Sequence, residues 1–294
     1  MKNEERICSY IFPFSLLIFP FSFIVNMDLK NYNANNMNKT IDESIITAMD
    51  GTDTALVKYL PYILQDFWEI GSSPEEIIKI IRKYKTNYSD LNVLDLGSGK
   101  GAVSIKISSE LKCKCFGIDA IDDFVIFSNN KAKELSVNNI CAFETNDIRT
   151  RIKTLKKYDI IILAATGPVF GNYYETLLQL TPHLNKDGLI IIDDAYVEDN
   201  CKNYPDILRK SDLINQINNA GMKLIDEITN DEIPGVSEGY RNEFENIQKR
   251  CMELVEKYPN DKKLFLEYVE KQKEEYEILE NEITPVIMVI KQQA

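Results

Sequence analysis

Three glycines alternate in the segment LDLGSGKG, which follows an apolar run and precedes a helix-like stretch. Gly97, Gly99 and Gly101 can adopt positive φ angles and let the backbone approach a ligand closely. A strand, a tight glycine turn and a helix in this order are typical of nucleotide-binding folds. With Ala102 the turn also satisfies the loose G-x-G-x-x-A form of dinucleotide sites. The turn therefore predicts an adenosine-bearing ligand, with a plain strand-to-helix turn as the alternative.

An acidic residue at the end of the next strand extends this prediction. Asp119 closes the segment KCFGID, about 20 residues beyond the glycines. Its two carboxylate oxygens can accept hydrogen bonds from both hydroxyls of a ribose. Because dehydrogenases and other adenosine-binding enzymes share this contact, Asp119 predicts a ribose-bearing ligand but does not identify the reaction.

The elements that must position these residues alternate regularly from Asn92 onward. Five predicted strands read NVLDL, KCFGID, ICAFET, YDIIILAA and GLIIIDD, with helix-like segments between them. The runs at 160–163 and 190–192 are apolar at every position, as central parallel strands covered by two helix layers must be. The pattern predicts an α/β fold with a doubly wound, mostly parallel sheet.

Helices are predicted on both sides of this alternating region. Capping boxes that begin at Thr40 and Ser73 each open a helix before the first strand. After the strand MKLIDEIT, apolar residues at spacings of three and four predict two amphipathic helices, and TPVIMVIK then returns to the sheet. We expect an N-terminal extension with an Asn-rich linker (1–39), a helical cap (40–90) and a cofactor-binding core (91–236). A helical insertion (237–282) and a terminal strand (283–294) follow.

The order and spacing of four motifs resemble the class I S-adenosylmethionine-dependent methyltransferases. The motifs are LDLGSGKG, the acid in GIDAI, the NDI after the third strand, and LTPHLNKDGLIIIDD leading into the fifth. The resemblance covers about Val93 to Lys291. It implies a seven-stranded Rossmann-like sheet, S-adenosyl-L-methionine as cofactor, and in-line transfer of a methyl group to a nitrogen, oxygen or sulfur of a small molecule.

The resemblance also implies roles within the cofactor site. Asp95 would help to hold the methionine portion and the turn, Asp147 would accept a hydrogen bond from the adenine amino group, and the amide of Ile148 would face the ring. A helix cap for Asp95 and a surface loop for Asp147 are the alternatives. The expected cofactor-binding residues are Asp95, Gly97, Ser98, Gly99, Gly101, Asp119, Ala120, Asp147, Ile148 and Ala164.

The segments at the ends of the fourth and fifth strands bear on the substrate class and on whether a metal ion is required. AATGPVFG lacks the Asn/Asp-Pro-Pro-aromatic signature of many amide and nucleobase methyltransferases, which disfavours nucleobase methylation. Asp193 and Asp194 resemble the acid pair of cation-dependent O-methyltransferases, but two acids on alternate faces make a poor metal site, so we expect no metal. His183 is the only histidine, and we expect it to complement a helix terminus rather than to act as a base.

Aromatic and acidic residues near the expected entrance are candidates for the substrate pocket. Tyr62 and Trp68 precede the first strand, Tyr173 follows the fourth, and Asp194 ends the fifth. Aromatic residues on helices belong more often to the core, which is the alternative interpretation.

Composition restricts partners and location. A formal charge of -12 disfavours nucleic-acid partners. Six scattered cysteines without paired metal-ligand spacing indicate reduced thiols and a cytoplasmic location. The apolar segment 7–25 contains two prolines and is followed by no small-residue cleavage site. It is interpreted as an extension upstream of a protein that starts at Met27, a membrane anchor or a signal peptide, and membrane association is expected only for an anchor.

Two other functions fit parts of the sequence. A NAD(P)-dependent oxidoreductase is compatible with the glycine pattern, and a non-catalytic S-adenosylmethionine-binding regulator is compatible with the cofactor motifs. In the helical insertion, surplus apolar residues such as Phe244 or Phe265 are expected to face a substrate or a second subunit, so a homo-oligomer is also considered.

Overall fold

The computed structural model describes residues 39–201, 207–233 and 235–293. The expected N-terminal extension, with its apolar segment 7–25, lies outside these residues except for its last position. In the described part, seven strands form one sheet in the order β3-β2-β1-β4-β5-β7-β6. The strands are β1 (Asn92–Leu96), β2 (Lys114–Asp119), β3 (Cys141–Thr145), β4 (Tyr158–Ala164), β5 (Leu184–Tyr196), β6 (Met222–Thr229) and β7 (Thr284–Gln292).

The sheet is mostly parallel. Strands β1 to β5 pair in parallel, whereas β7 lies antiparallel between β5 and β6. The chain order reverses between β1 and β4, and ligands of open α/β sheets bind at the carboxyl ends of the strands at such a switch point. The doubly wound, mostly parallel sheet expected from the sequence is confirmed.

Helices cover both faces of the sheet and its carboxyl edge. They are α1 (Ile41–Ala48), α2 (Leu60–Ile63), α3 (Pro74–Tyr84), α4 (Ala102–Leu111), α5 (Asp122–Glu134), α6 (Ile148–Arg151), α7 (Tyr173–Leu180), α8 (Lys210–Asn219), α9 (Val236–Lys257) and α10 (Lys262–Asn281). Thr40 and Glu43 form a reciprocal capping box, and the Ser73 hydroxyl accepts a hydrogen bond from the Glu76 amide. Both predicted helix starts are confirmed.

Helix α8 has no counterpart among the sequence predictions. Its sequence is KSDLINQINN, and only Leu213 and Ile217 are buried. The apolar residues Leu213, Ile214 and Ile217 all lie within little more than one turn, which gives a weak helical signal because an amphipathic helix usually repeats its apolar face over two turns or more. Helix α8 forms because these residues pack into or against the apolar cluster on its face of the sheet.

The helical hairpin of α9 and α10 packs against the N-terminal segment. Arg250 donates to both carboxylate oxygens of Asp66, at 2.6 and 2.7 Å. Phe265 is fully buried, with its ring 4.9 Å from that of Tyr59, so the expectation that Phe265 faces a substrate or a second subunit is wrong. Hairpin and N-terminal segment share one apolar cluster with residues beside the carboxyl edge, and together they cover that edge.

No helix in the described ranges is long and apolar enough to cross a membrane.

Candidate active site

A cavity lies at the carboxyl edge of the sheet, where the chain order reverses. Helix α1, the glycine turn and the loops that follow β2, β3 and β4 line it. Most of the residues expected to bind the cofactor are brought together here, namely Gly97, Gly99, Asp119, Ala120, Asp147, Ile148 and Ala164. The cavity is therefore the place where the sequence motifs converge.

The glycine turn has a backbone that other residues would strain. Gly97 and Gly101 have φ angles of +74°, and Gly99 has +51°. A Cβ atom at Gly97 would lie 2.2 Å from the Thr166 side chain, and one at Gly101 would lie 2.7 Å from the Phe143 ring. The turn thus requires glycine for its conformation and for its packing.

Asp119 anchors the turn to the end of β2. Its Oδ2 accepts a hydrogen bond from the Gly99 amide at 2.8 Å, and its Oδ1 accepts one from the Ile121 amide at 2.9 Å. Burial raises the pKa of Asp119, while these backbone donors oppose the shift. Each carboxylate oxygen can accept a second hydrogen bond, so the group can still bind ligand hydroxyls in the cavity.

Asp147 has a structural role in addition to its place in the cavity. It caps α6 by accepting a hydrogen bond from the Arg149 amide, and its carboxylate pairs with the Arg149 guanidinium at 2.8 Å. Arg149 also donates to the backbone oxygen of Lys39 at 3.0 Å. An adenine amino group would share a carboxylate that is already engaged, so the adenine contact of Asp147 stays a prediction.

Three of the expected cofactor residues, Asp95, Ser98 and Gly101, are not among the described lining residues of the cavity. Asp95 is buried below the turn, where its carboxylate accepts a hydrogen bond from the Ser104 hydroxyl at 2.7 Å. Burial raises the pKa of Asp95 to about 6. Its position is that of a residue that fixes the turn to helix α4.

Tyr62 and Trp68 do not line the described cavity, although they were candidates for the substrate pocket. The Tyr62 hydroxyl donates to Glu253 at 2.6 Å and so links the N-terminal segment to α9. The Trp68 indole donates to the backbone oxygen of Lys100 at 3.1 Å. These side chains hold the cap in place around the glycine turn, and their assignment to the substrate pocket stays a prediction.

Tyr173 and Asp194 bind each other, and neither is among the described lining residues of the cavity. The Tyr173 hydroxyl donates to Asp194 Oδ2 at 2.6 Å. Tyr173 packs against the apolar cluster of the α7 and α8 face, and the assignment of Tyr173 and Asp194 to the substrate pocket stays a prediction. His183 follows α7, and its Nδ1 lies 3.0 Å from the Leu155 backbone oxygen, a contact that orients the ring structurally.

Sequence reasoning missed the burial of two carboxyl groups. Asp193, which is 2% exposed, accepts a hydrogen bond from Ser72 at 2.5 Å. Glu243, which is 3% exposed, accepts one from the Tyr276 hydroxyl at 3.2 Å. Glu243 lies three residues after Tyr240 on the buried face of α9, and a carboxylate on an apolar stripe was the signal that could have identified it.

Comparison with known proteins decides the family. The methyltransferase domain family matches residues 87–282, about two thirds of the chain. The chain belongs to this family. The resemblance to class I S-adenosylmethionine-dependent methyltransferases is thereby confirmed, and the oxidoreductase alternative is set aside.

Curated relatives of this methyltransferase match over shorter stretches. The ubiquinone biosynthesis O-methyltransferase of Rickettsia akari is 29% identical over 119 residues, which cover 40% of this chain and 45% of the relative. The release factor glutamine methyltransferase of Buchnera aphidicola is 33% identical over 85 residues, covering 28% of this chain and 30% of the relative. The chain thus spans less than half the length of these relatives.

Solved structures share the fold over most of the methyltransferase. An S-adenosylmethionine-dependent methyltransferase of Geobacter sulfurreducens, crystallised with S-adenosyl-L-homocysteine, has a TM-score of 0.66 at 16% identity and covers 80% of this chain and 98% of its own. The YjhP protein of E. coli has a TM-score of 0.67 at 16% identity, covering 81% of this chain and 100% of its own. At these identities the likeness concerns the fold alone.

No group of three or more His, Cys, Asp or Glu side chains within the described ranges is placed to hold a metal ion. Asp193 and Asp194 are bound to different partners, Ser72 and Tyr173. The expectation of a metal-independent enzyme stays a prediction.

Proposed function

We propose that the cavity at the carboxyl edge binds S-adenosyl-L-methionine, and that the enzyme transfers its methyl group to a small-molecule nucleophile. The observation that carries this proposal is the convergence of Gly97, Gly99, Asp119 and the Asp147–Ile148 pair on one cavity at the switch point. The cavity residues suit the cofactor chemically, because a carboxylate for hydroxyl groups lies beside apolar walls such as Ile121.

The protein's own contribution is to bind, orient and exclude water. When bound, S-adenosylmethionine supplies a sulfonium methyl group that is already activated. Asp119 would hold the ribose, Ile121 and Ile148 would contact the adenine ring, and the close-packed turn at Gly97 and Gly99 would admit the methionine portion. The N-terminal segment and the hairpin cover the carboxyl edge, so alignment of the nucleophile in a dry site accounts for most of the catalysis.

A small molecule is the substrate class that the observations favour. The name of the Rickettsia akari relative, a ubiquinone biosynthesis O-methyltransferase, supports this choice. The charge of -12 disfavours nucleic acid as a substrate. The cytoplasmic location expected from the cysteines belongs to the same proposal.

The test is a titration of S-adenosyl-L-homocysteine into the wild-type enzyme and the Asp119→Ala variant by calorimetry. Loss of a carboxylate that accepts hydrogen bonds costs about 1.5 to 3 kcal/mol, so we expect roughly ten to a hundredfold weaker binding. Asp123→Ala, an exposed acid on the next helix, is the matched control and should bind as the wild type does. Equal affinity in the Asp119→Ala variant and the wild type would place the adenosine elsewhere.

A further inference from the structure

A second cavity lies at the amino edge of the sheet, at the opposite end of the strands from the cofactor cavity. The first residues of β1 and β2, the turn before β3 and the segment that leads from α6 into β4 line it. Its volume of about 560 Å³ is in the range of small-molecule sites. The two cavities share none of their described lining residues, so this cavity is separate from the cofactor site.

Three cationic side chains line the amino-edge cavity, namely Lys114, Arg151 and Lys156. No aspartate or glutamate is among its described lining residues. Elsewhere on the described surface lysines pair with carboxylates, as Lys79 does with Glu76 at 2.6 Å. A chain with a net charge of -12 thus concentrates cations at one concave site, which favours an anionic ligand there.

The two lysines reach the same wall of the cavity. Lys114 begins β2, and its register partner on β1 is Asn92. The Lys156 Nζ lies 3.4 Å from the Oδ1 of Asn92. Both lysines are exposed, and neither forms an ion pair with a described carboxylate. Because two positive charges on one wall repel each other, an anion bound between them would relieve that repulsion.

Arg151 is held in a fixed orientation in the same cavity. It donates from Nε and Nη2 to the two carboxylate oxygens of Glu144, at 2.8 and 3.1 Å, and from Nη1 to the Thr154 hydroxyl at 2.6 Å. These contacts use three of the five N–H donors of a guanidinium, so two are left for a ligand. The guanidinium also lies over the Phe116 ring, 5.9 Å from its centroid. An oriented planar donor of this kind suits the oxygens of a phosphate.

Two carboxylates border the cavity without lining it, and both are engaged. Glu144 balances the charge of Arg151. Asp159 accepts hydrogen bonds from the Asn92 amide and from Asn185 Nδ2, each at 2.8 Å. The charge that remains is that of the two lysine side chains, which matches the charge of roughly -1.5 to -2 on a phosphate monoester at neutral pH.

The cavity also has apolar walls, which a bare phosphate ion would not use. Phe116 and Leu155 are only partly buried, although they pack against the apolar cluster on this face of the sheet. Asn138 and Asn139 add exposed carboxamide groups from the turn before β3. Apolar walls with a few polar groups are typical of sites for organic ligands. The ligand is therefore expected to carry an organic part in addition to its phosphate.

We propose that the amino-edge cavity binds an organic phosphate, with the phosphate group at Lys114 and Lys156 and the organic part against Phe116 and Leu155. This second ligand site does not depend on the proposed methyltransferase function. Lysine binds phosphate as a point charge, and the remaining N–H groups of Arg151 add directed hydrogen bonds. A soluble phosphate ester and a phospholipid headgroup offer the same chemistry, and separate arms of the test distinguish them.

The test measures binding of phenyl phosphate to the full chain by calorimetry, beside phenol and benzoate, which lack the phosphate. Sedimentation with phosphatidylcholine vesicles, prepared with and without phosphatidic acid, tests the headgroup. We expect phenyl phosphate, the phosphatidic acid vesicles or both to bind in preference to their counterparts without a phosphate monoester. The double variant Lys114→Gln/Lys156→Gln should weaken that binding roughly tenfold or more.

A charge-matched double variant, Lys112→Gln/Lys157→Gln, is the control. It removes the same charge from exposed lysines that lie two residues from Lys114 and one from Lys156 but outside the described lining, and it should bind as the wild type does. S-adenosyl-L-homocysteine should bind all variants alike, and its failure to bind the wild type would refute the proposed function but not the phosphate site. The phosphate site is refuted if neither phosphate ligand binds the wild type or if phenol or benzoate binds as tightly. It is also refuted if the cavity variant keeps full affinity or if both double variants lose the same affinity.

Discussion

Replacing Lys100 by methionine tests how the glycine turn is attached to the N-terminal segment. Lys100 lies within the turn, is 5% exposed, and donates from Nζ to the backbone oxygens of Leu64 and Phe67 at 2.5 and 2.6 Å. Methionine keeps the length and apolar character of the side chain but removes the charge and the donors. The variant therefore isolates the contribution of the buried ammonium group.

The pKa of Lys100 gives the magnitude. Burial lowers this pKa from 10.5 to about 8, and the charge of Asp66 opposes the shift. Between these values the unfolded chain holds a proton that the folded chain has released, so this group makes stability rise with pH. From about pH 7 to about pH 10 the rise amounts to roughly 2.5 kcal/mol. Below the folded pKa the cost of burying the charge is present in full.

Denaturant unfolding of the wild type and Lys100→Met at several pH values is the assay. Other groups titrate in this range, and the difference between the two proteins cancels their contribution. Between pH 7 and pH 10, we expect the free energy of unfolding of the wild type to rise by about 2.5 kcal/mol relative to that of the variant. A difference that stays constant across this range would show that Lys100 does not titrate as its burial requires.

Further substitutions test the turn, the strand below it and the hairpin. Gly97→Ala should abolish S-adenosyl-L-homocysteine binding, because the new Cβ atom would lie 2.2 Å from the Thr166 side chain. Adding Thr166→Ala removes that clash and should restore part of the affinity. Full affinity in the Gly97→Ala variant alone would contradict this reasoning. The raised pKa of Asp95 in the folded state makes the wild type lose stability as pH rises, because the unfolded chain releases this proton more readily. The free energy of unfolding of Asp95→Asn should therefore rise relative to that of the wild type, by roughly 2 kcal/mol between pH 4 and 7. A difference independent of pH in denaturant unfolding would contradict that assignment. Arg250→Gln removes the bidentate contact with Asp66 and should speed hydrogen exchange in α9 while the exchange of β1 stays unchanged; unchanged exchange in α9 would show that this contact does not hold the hairpin.

The sheet and the cofactor cavity could be predicted because their signals are local in sequence. Apolar runs such as 160–163 need no partner to be read as buried strands. The position of Asp119 follows from its distance to the glycines, since consecutive parallel strands bring their carboxyl ends to one edge. The positions of the strands and of Asp119 depend on the pattern of apolar residues and on the order of the elements, and both can be read from the sequence.

The substrate side could not be predicted in the same way, because it depends on contacts between distant segments. Tyr62 binds Glu253 and Trp68 binds the backbone of Lys100, and neither partner is indicated by spacing. The roles of the adjacent acids Asp193 and Asp194 at the end of β5 could be distinguished only when the structure showed the partner of each side chain. Asp194 accepts a hydrogen bond from Tyr173, whereas Asp193 accepts one from Ser72.

The carboxyl groups of Asp193 and Glu243 oppose the stability of the fold. Both are almost fully buried, and in each one oxygen has no hydrogen-bond partner among the described residues. An apolar residue at either position would avoid that cost, since α9 otherwise presents Tyr240, Ile247 and Cys251 to the same side. Buried groups that destabilise a protein are concentrated where ligands bind, because the ligand supplies the missing partners. The burial of Asp193 and Glu243 thus costs stability that the packing of β5 and α9 does not require.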